Sequence, residues 1–184
     1  MAEPLEKLKC LNLYRCDLRG NQLSNFASHS LPCLNFLQLS KLTCVINNDL
    51  LTLLIAVAPT LATLKIIDCE IQRRNLDEEH ATDAAMSRMV KLQFVTLVGD
   101  CGTALSIARA HPPPRITSPL LQDSSRAICR MPAIDCQSLR EALKVTGWAS
   151  VRVTSDVWEV PDSVRQVLQS IALERDIALT IDYD

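Results

Sequence analysis

The side chains best suited to catalysis or metal binding in this sequence are cysteines and histidines, and they are widely scattered. The chain has 184 residues, with eight cysteines and three isolated histidines. Cys129 and Cys136 are seven residues apart with no histidine nearby, whereas zinc ligands come in closer pairs. Cys101 and His111 could form a nucleophile and a base across one helix, but no residue is evident to orient the base or bind an oxyanion. The sequence therefore predicts no catalytic residue, no metal site and no cofactor.

Composition and charge argue against other functional classes. There are only four glycines, and neither a glycine-rich phosphate loop nor a G-x-S-x-G motif occurs. The net charge is −2, so overall electrostatics attract neither nucleic acid nor an anionic membrane. The longest apolar stretch, Leu50 to Ala58, is far shorter than the roughly 18 residues of a membrane span. With 48% apolar and 22% charged residues, we expect a globular domain with a substantial core.

The most informative stretch is Leu5 to Leu18, with the sequence LEKLKCLNLYRCDL. Its apolar residues follow the pattern L-x-x-L-x-x-L-x-L-x-x-C-x-L, which fits neither a helical period nor a simple alternating strand. The pattern is typical of a leucine-rich repeat, in which a short strand with Leu11 and Leu13 pointing inward ends in a sharp bend. Cys16 occupies the bend, where a small and weakly polar side chain can meet the backbone.

The same unit recurs in LPCLNFLQLSKL, LATLKIIDCEI and MVKLQFVTLVGD. The equivalent inward positions are Leu11, Leu37, Leu64 and Val95, which are separated by 26, 27 and 31 residues. The first two separations lie within the period of about 20–29 residues that these repeats have. The third separation indicates an insertion, which we place at Gln72 to Arg88.

The rest of the chain predicts further repeats. Val151 follows Val95 by 56 residues, twice a spacing of 28, so we expect one degenerate repeat between them, with a short strand near Ile128. Between residues 112 and 136 the pattern is otherwise lost and irregular structure is expected. The predicted fold is thus an α/β leucine-rich-repeat solenoid of about five or six repeats that spans residues 1–184 as one domain. Parallel strands should line its concave face, with helices outside.

Helices are predicted between these strands. Asn48 should cap the helix after the second strand, with Asp49 in its first turn and Pro59 ending it. Pro161 suits the first turn of a last helix. The apolar face predicted for that last helix consists of Val164, Val167, Leu168 and Ile171.

Five of the cysteines belong to the repeat units instead of a disulfide framework: Cys10, Cys16, Cys33, Cys44 and Cys69. A free, buried cysteine behaves as a small hydrophobic residue. We therefore expect these thiols to be reduced and the protein to be intracellular, in the cytoplasm or the nucleus.

Residues that alternate with the inward leucines should form three columns across the concave face. The first column is Cys10, Phe36, Thr63, Phe94 and Ser150; the second is Asn12, Gln38, Lys65, Thr96 and Arg152; the third is Tyr14, Ser40, Ile67, Val98 and Thr154. Large apolar side chains among polar ones mark a partner site. The predicted partner-binding residues are Tyr14, Phe36, Gln38, Lys65, Ile67, Phe94, Val98 and Arg152. The alternative is that the segment Arg115 to Asp135 folds over this face.

The cysteine-bearing bends in LNLYRCDL and LKIIDCEI resemble those of the cysteine-containing repeats in the substrate-recognition half of F-box proteins. Irregular repeats interrupted by Pro/Ser loops, and the ending ALTIDYD, are similar to the C-terminal halves of fungal F-box/leucine-rich-repeat proteins. The resemblance implies that the repeats bind a protein to be ubiquitinated while other subunits perform the chemistry. The chain opens on a repeat, and we expect the F-box domain to be absent from it. Docking to a ubiquitin-ligase adaptor is expected only if an F-box lies upstream.

The sequence thus predicts a non-catalytic protein-interaction module, expected to bind a protein partner and neither nucleic acid nor membrane. The resemblance favours substrate recognition in an F-box-type ligase. A stand-alone repeat protein acting as a scaffold or inhibitor is the first alternative. An enzyme of unknown type is the second, and would require a cleft of convergent polar groups.

Overall fold

A seven-stranded, wholly parallel β-sheet forms the framework of this α/β protein. The computed structural model describes residues 5–72, 81–99, 104–110, 126–131, 136–155 and 160–183. The elements in chain order are β1 (Cys10–Tyr14), α1 (Gln22–Ala27), β2 (Phe36–Ser40), β3 (Val45–Ile46), α2 (Asn47–Val57), β4 (Thr63–Ile67), β5 (Ile71–Gln72), α3 (Ala81–Met86), β6 (Phe94–Val98), α4 (Ala104–Arg109), β7 (Arg126–Met131), α5 (Cys136–Val145), β8 (Ser150–Ser155), α6 (Asp162–Glu174) and β9 (Ala178–Tyr183). In the main sheet the strands lie in the order β1-β2-β4-β6-β7-β8-β9, and β3 and β5 form a small second sheet.

The register of the sheet confirms the four sequence repeats. Leu11 lies opposite Leu37, Leu37 opposite Leu64, and Leu64 opposite Val95. The insertion before Val95 therefore changes the length of the connection without shifting the strand. A shift by one residue would have moved every leucine of a strand to the other face of the sheet.

The degenerate repeat predicted between Val95 and Val151 is also present. It is β7, in which Ala127 stands between these two valines in the same row, and Leu179 of β9 ends the row. The irregular range predicted between residues 112 and 136 is thus interrupted by a strand of the sheet. The residues at 111–125 and 132–135 lie outside the described ranges.

One face of the sheet packs against the helices and forms the core. Its inward residues are aliphatic and almost completely buried: Leu37, Leu39, Leu64, Ile66, Val95, Leu97, Val151 and Val153. The helices contact each other in chain order, α1 with α2 and so on to α6. Leu50, Leu54 and Val57 of α2 are fully buried. In β1, Leu11 and Leu13 remain half-buried; in the described chain this strand has a neighbour on one side only.

The strands β1, β2, β4 and β6 each end in the same bend. The residue after each strand has a positive φ, which is 52° at Arg15, 53° at Lys41, 50° at Asp68 and 87° at Gly99. The left-handed region is unusual for residues other than glycine, and here it recurs at equivalent positions of the repeat. The backbone amides of Arg15, Lys41 and Asp68 donate to the neighbouring strand, so the hydrogen-bonded ladder extends into the bend.

The two bend cysteines contact the backbone, as the sequence predicted. The Cys16 thiol donates to the carbonyl oxygen of Tyr14 over 3.4 Å, and the Cys69 thiol to that of Ile67 over 3.5 Å. Each thiol thus reaches the carbonyl two residues earlier and closes the turn. The cysteine in the motif therefore has a local structural role.

The prediction that Asn48 caps α2 is wrong, because this helix already begins at Asn47 and Ile46 is its N-terminal cap. The acidic residue of its first turn has a different role from the one predicted. The buried Asp49 carboxylate accepts hydrogen bonds from the backbone amides of Leu23 (2.9 Å) and Ser24 (3.0 Å), at the start of α1. Asn21, the N-terminal cap of α1, makes no side-chain capping bond, so Asp49 supplies the acceptor from the next helix.

Buried polar contacts also join the later helices. The Asn47 side-chain oxygen accepts from the backbone amide of Ala81, which begins α3, over 3.2 Å. The Ser106 hydroxyl of α4 donates to the Asp83 carboxylate of α3. The indole of the fully buried Trp148 donates to the carbonyl oxygen of Ile107 over 3.1 Å. Apolar contact between neighbouring helices is thus supplemented by directional bonds.

Two predictions about packing require correction. Val167 was assigned to the apolar face of α6 but is 42% exposed, whereas Leu168 and Ala172 are buried. α6 is the last helix of the described chain, so no later helix covers its other side. The expectation of buried cysteines is wrong for Cys10 and Cys33, which are exposed.

Candidate functional site

The face of the sheet opposite the helices is the candidate site, and we call it the open face. The strand register aligns the three predicted columns residue for residue. Two strands that the columns lacked now extend the three columns in turn: β7 contributes Arg126, Ile128 and Arg130, and β9 contributes Ala178, Thr180 and Asp182. All eight predicted partner-binding residues therefore lie on one surface.

The open face carries large apolar side chains that the core does not cover. Tyr14 is 51% exposed, Ile128 38% and Phe94 36%. Phe36, Ile67 and Val98 are half-buried. Ser40 is an exception in the third column, because it is buried; its hydroxyl accepts a 3.1 Å hydrogen bond from the Gln38 side chain. Apart from this position, the alternation of buried and accessible residues follows the predicted columns.

The first half of the open face, defined as its positions on β1, β2, β4 and β6, has an unusual charge distribution. Its twelve positions are Cys10, Asn12, Tyr14, Phe36, Gln38, Ser40, Thr63, Lys65, Ile67, Phe94, Thr96 and Val98. None is acidic, and Lys65 is the only cation. Its directly opposite neighbours, Gln38 and Thr96, are uncharged. The Lys65 ammonium lies 5.6 Å from the centroid of the Phe36 ring, a cation–π distance.

The second half of the open face, on β8 and β9, is polar and internally neutralised. The Arg152 guanidinium contacts the Asp182 carboxylate at 2.6 Å and 2.7 Å through two nitrogens. The other positions are Ser150, Thr154, Ala178 and Thr180. Arg152 was predicted to bind a partner, but its charge is already paired within the protein. This region therefore offers neither a large apolar side chain nor an uncompensated cation.

The carboxylates near the first bend lie beyond the strand ends and do not compensate Lys65. Asp17 pairs with Arg19 at 2.8 Å, and this hydrogen-bonded partner holds the pKa of Asp17 below its usual value. The same carboxylate raises the pKa of the nearby Cys44 thiol, which makes this cysteine a poor nucleophile at neutral pH. Arg15 at the bend lies 5.1 Å from the centroid of the Tyr14 ring.

The structure offers little support for chemistry elsewhere. No group of three or more metal-ligating side chains occurs in the described residues. A cleft of about 290 Å³ lies between the segments that follow α1 and α2, but its histidine, His29, directs Nδ1 to the carbonyl oxygen of Asn25 at 2.8 Å. The Cys101–His111 pair lies outside the described residues, as does most of the segment predicted to cover the open face. The six cysteines whose state is described are free thiols.

The predicted columns did not include β7, with Arg126, Ile128 and Arg130, or β9, with Ala178, Thr180 and Asp182. The spacing that predicted a hidden repeat could have identified Ile128, which stands between Thr96 and Arg152 in the second column. Asp182 could have been found by the same extension of the third column to the closing strand. Each of these positions follows from the strand register once the number of strands is known.

No family model, no curated protein and no solved structure matches this chain. Among the helices that the structure describes, none has the length and apolar character needed to cross a membrane. Functional interpretation therefore depends on the geometry and chemistry of the open face.

Proposed function

We propose that this protein is a leucine-rich-repeat solenoid whose open face is concave and binds a protein partner without catalysis. The in-register parallel strands, their recurring left-handed bends and the chain-order packing of the helices support the repeat architecture. Such an architecture presents an extended surface to which each strand contributes one residue per column. Because one fold serves many functions, the proposal relies on the composition of that surface.

The observation that carries the proposal is the exposure of Tyr14, Phe94 and Ile128 on a sheet surface that no helix covers in the described chain. Exposed aromatic and aliphatic side chains in water contribute nothing to the core but provide buried area when a partner binds. Aromatic residues near the centre of an interface commonly dominate its binding energy. Phe94 has this central position, since β6 has three sheet strands on each side.

The role of substrate recognition in an F-box-type ubiquitin ligase is the finer form of this proposal. It is based on the cysteine-bearing bends, whose thiols close the turn at Cys16 and Cys69. A stand-alone scaffold or inhibitor would use the same open face. Recovery of a ubiquitin-ligase adaptor and ligase core with the native protein would favour the ligase role, and their absence would favour the scaffold.

The test of the proposed function is affinity capture from the native cell, followed by mass spectrometry, with three forms of the protein as bait. These are the unchanged chain, Phe94→Ala on the open face and Leu173→Ala on the outer surface of α6, where Leu173 is 82% exposed. Both variants remove a large, exposed apolar side chain, so they differ mainly in location. We expect the partner to be retained by Leu173→Ala and depleted by Phe94→Ala, in line with a loss of about 2 kcal/mol at an interface hot spot.

Equal recovery of every captured protein by the two variants would contradict the proposal. The thermal unfolding midpoints of both variants should stay close to that of the unchanged chain. This control separates loss of a binding contact from loss of the fold.

A further inference from the structure

The first half of the open face combines apolar side chains with one uncompensated cation, and this combination restricts what can bind there. Among its twelve positions there is no carboxylate, and Lys65 forms no ion pair within the part of the chain that the structure describes. Phe36 and Phe94 belong to the neighbouring column on the strands flanking Lys65, while Ile67 follows it on the same strand. An approaching partner therefore meets a positive charge between two uncharged polar residues, with the apolar Phe36, Phe94 and Ile67 close by.

From this arrangement we infer that the first half of the open face binds a protein segment that presents an aspartate or glutamate between large apolar side chains. This inference rests on the proposed function, of which it specifies the partner chemistry. The carboxylate pairs with the Lys65 ammonium, and the flanking apolar side chains contact Phe36, Phe94 and Ile67. Binding excludes water around the ion pair, which strengthens it relative to an exposed pair.

Lys65 is positioned for this role before the partner arrives. Its ammonium lies against the Phe36 ring, and its side chain is half-buried. A cation held by an aromatic ring has lost part of its rotamer freedom, so less entropy is lost when a carboxylate binds. Arg152 differs, because Asp182 already occupies its guanidinium. Lys65 and Arg152 thus distinguish an unpaired cation from a neutralised one.

A basic residue beside aromatic rings is also found in proteins that bind single-stranded nucleic acid. The protein as a whole carries a net charge of −2, which disfavours a polyanion, and the twelve positions of the first half of the open face hold one cation, with Arg126 and Arg130 on the adjacent strand β7. These charges favour the acidic protein segment, and a nucleic-acid probe is included in the test.

The test selects a random peptide library on the purified chain and on two charge-reversal variants. Lys65→Glu changes the proposed contact, while Lys144→Glu makes the same change on α5, on the helix side of the sheet. We expect the unchanged chain and Lys144→Glu to enrich peptides with Asp or Glu between large apolar residues. Lys65→Glu should instead enrich Lys or Arg at the same place. A selected peptide should lose about tenfold in affinity for Lys65→Glu, and about fivefold when its acidic residue becomes the amide.

The outcomes separate this inference from the proposed function. Apolar peptides without an acidic preference, bound equally by Lys65→Glu but lost on Phe94→Ala, would overturn the inference and leave the proposed function intact. If no peptide is enriched in a way that depends on Phe94, both the inference and the proposed function are overturned. An oligothymidylate that binds more tightly than any selected peptide, and is lost on Lys65→Glu, would assign the face to nucleic acid and overturn the inference.

Discussion

The two faces of the parallel sheet follow different rules. On the helix side, the inward positions of successive strands repeat the same residue class, as in Leu37, Leu64 and Val95, and they are buried. On the open face, the adjacent positions Gln38, Lys65 and Thr96 differ from strand to strand. Side chains of a strand point alternately to the two faces, so both rules operate within the same five residues.

This difference indicates that stability and recognition are encoded on separate surfaces. Burial on the helix side constrains the residue type, because a buried methylene contributes about 0.8 kcal/mol. The open face is not constrained by core packing and can vary with the partner. If the separation holds, substitutions on the helix side should change the free energy of unfolding, and substitutions on the open face should change binding.

The largest expected effect is that of Leu64→Ala. Leu64 is completely buried in β4, between β2 and β6. Removing its side chain should lower the free energy of unfolding by about 2–5 kcal/mol through lost burial and cavity formation. Urea denaturation followed by circular dichroism measures the change. The adjacent Lys65→Ala is the matched open-face control and should alter stability by about 0.5 kcal/mol or less; similar losses in the two variants would contradict the separation of the faces.

The second effect is that of Asp49→Ala, which tests the polar contacts of the helix side. The variant leaves the amides of Leu23 and Ser24 without their acceptor, at an expected cost of about 1–3 kcal/mol. Hydrogen exchange should accelerate first at these two amides. Asp49→Asn keeps one acceptor oxygen and should cost less. If both variants exchange like the unchanged chain at α1, the carboxylate does not stabilise this helix.

Cysteine labelling compares an exposed position of the open face with a buried bend, without any mutation. Cys10 belongs to the open face and is exposed, whereas Cys69 is buried at its bend, and burial raises the pKa of its thiol. Because the thiolate is the reactive form, a raised pKa leaves less of it at neutral pH. Maleimide should therefore modify the exposed Cys10 and Cys33 first and Cys69 last among the six described cysteines, as peptide mapping can show. The Cys69 rate should increase as pH rises toward its raised pKa and after unfolding in urea. Early modification of Cys69 in the folded protein would contradict its placement.

The smallest effect is expected for Arg152→Ala. Arg152 and Asp182 form an ion pair whose side chains are both more than one-third exposed to solvent. Solvent screens such a pair, so the free energy of unfolding should fall by about 0.5 kcal/mol or less. Binding of peptides selected on the first half of the open face should not change. A loss of more than about 1 kcal/mol would show that this part of the open face contributes to stability.

The fold followed from the sequence to the extent that the repeat spacing could determine it. Four strands, their register and the bend cysteines were predicted because Leu11, Leu37, Leu64 and Val95 recur in phase. A strand near Ile128 was predicted from spacing alone. The members of the open-face columns then followed from alternation along each strand, and the structure places them as predicted.

Features that depend on contacts between distant residues could not be read in the same way. Asp49 was interpreted through the dipole of its own helix. Its carboxylate instead accepts a hydrogen bond from the backbone amide of Leu23, 26 residues earlier at the start of α1. The Trp148 indole reaches a carbonyl 41 residues away. Lys65 was recognised as a face residue, but its proximity to the Phe36 ring depends on strand neighbours and rotamers. None of these contacts leaves a periodic signal in the sequence.

The order of the strands also bears on how this chain folds. In the main sheet each strand pairs only with the strands that precede and follow it in that sheet along the chain. The residues paired between neighbouring strands are separated by 24 to 32 positions, the extremes being Ala127 to Val151 and Val95 to Ala127. Loop closure over such lengths differs by only about 0.3 kcal/mol, so loop length does not favour one pairing over another. Folding can begin at any adjacent pair and spread one strand at a time. Its transition state then need not be located at a fixed place, and a substitution that slows one nucleus leaves others available.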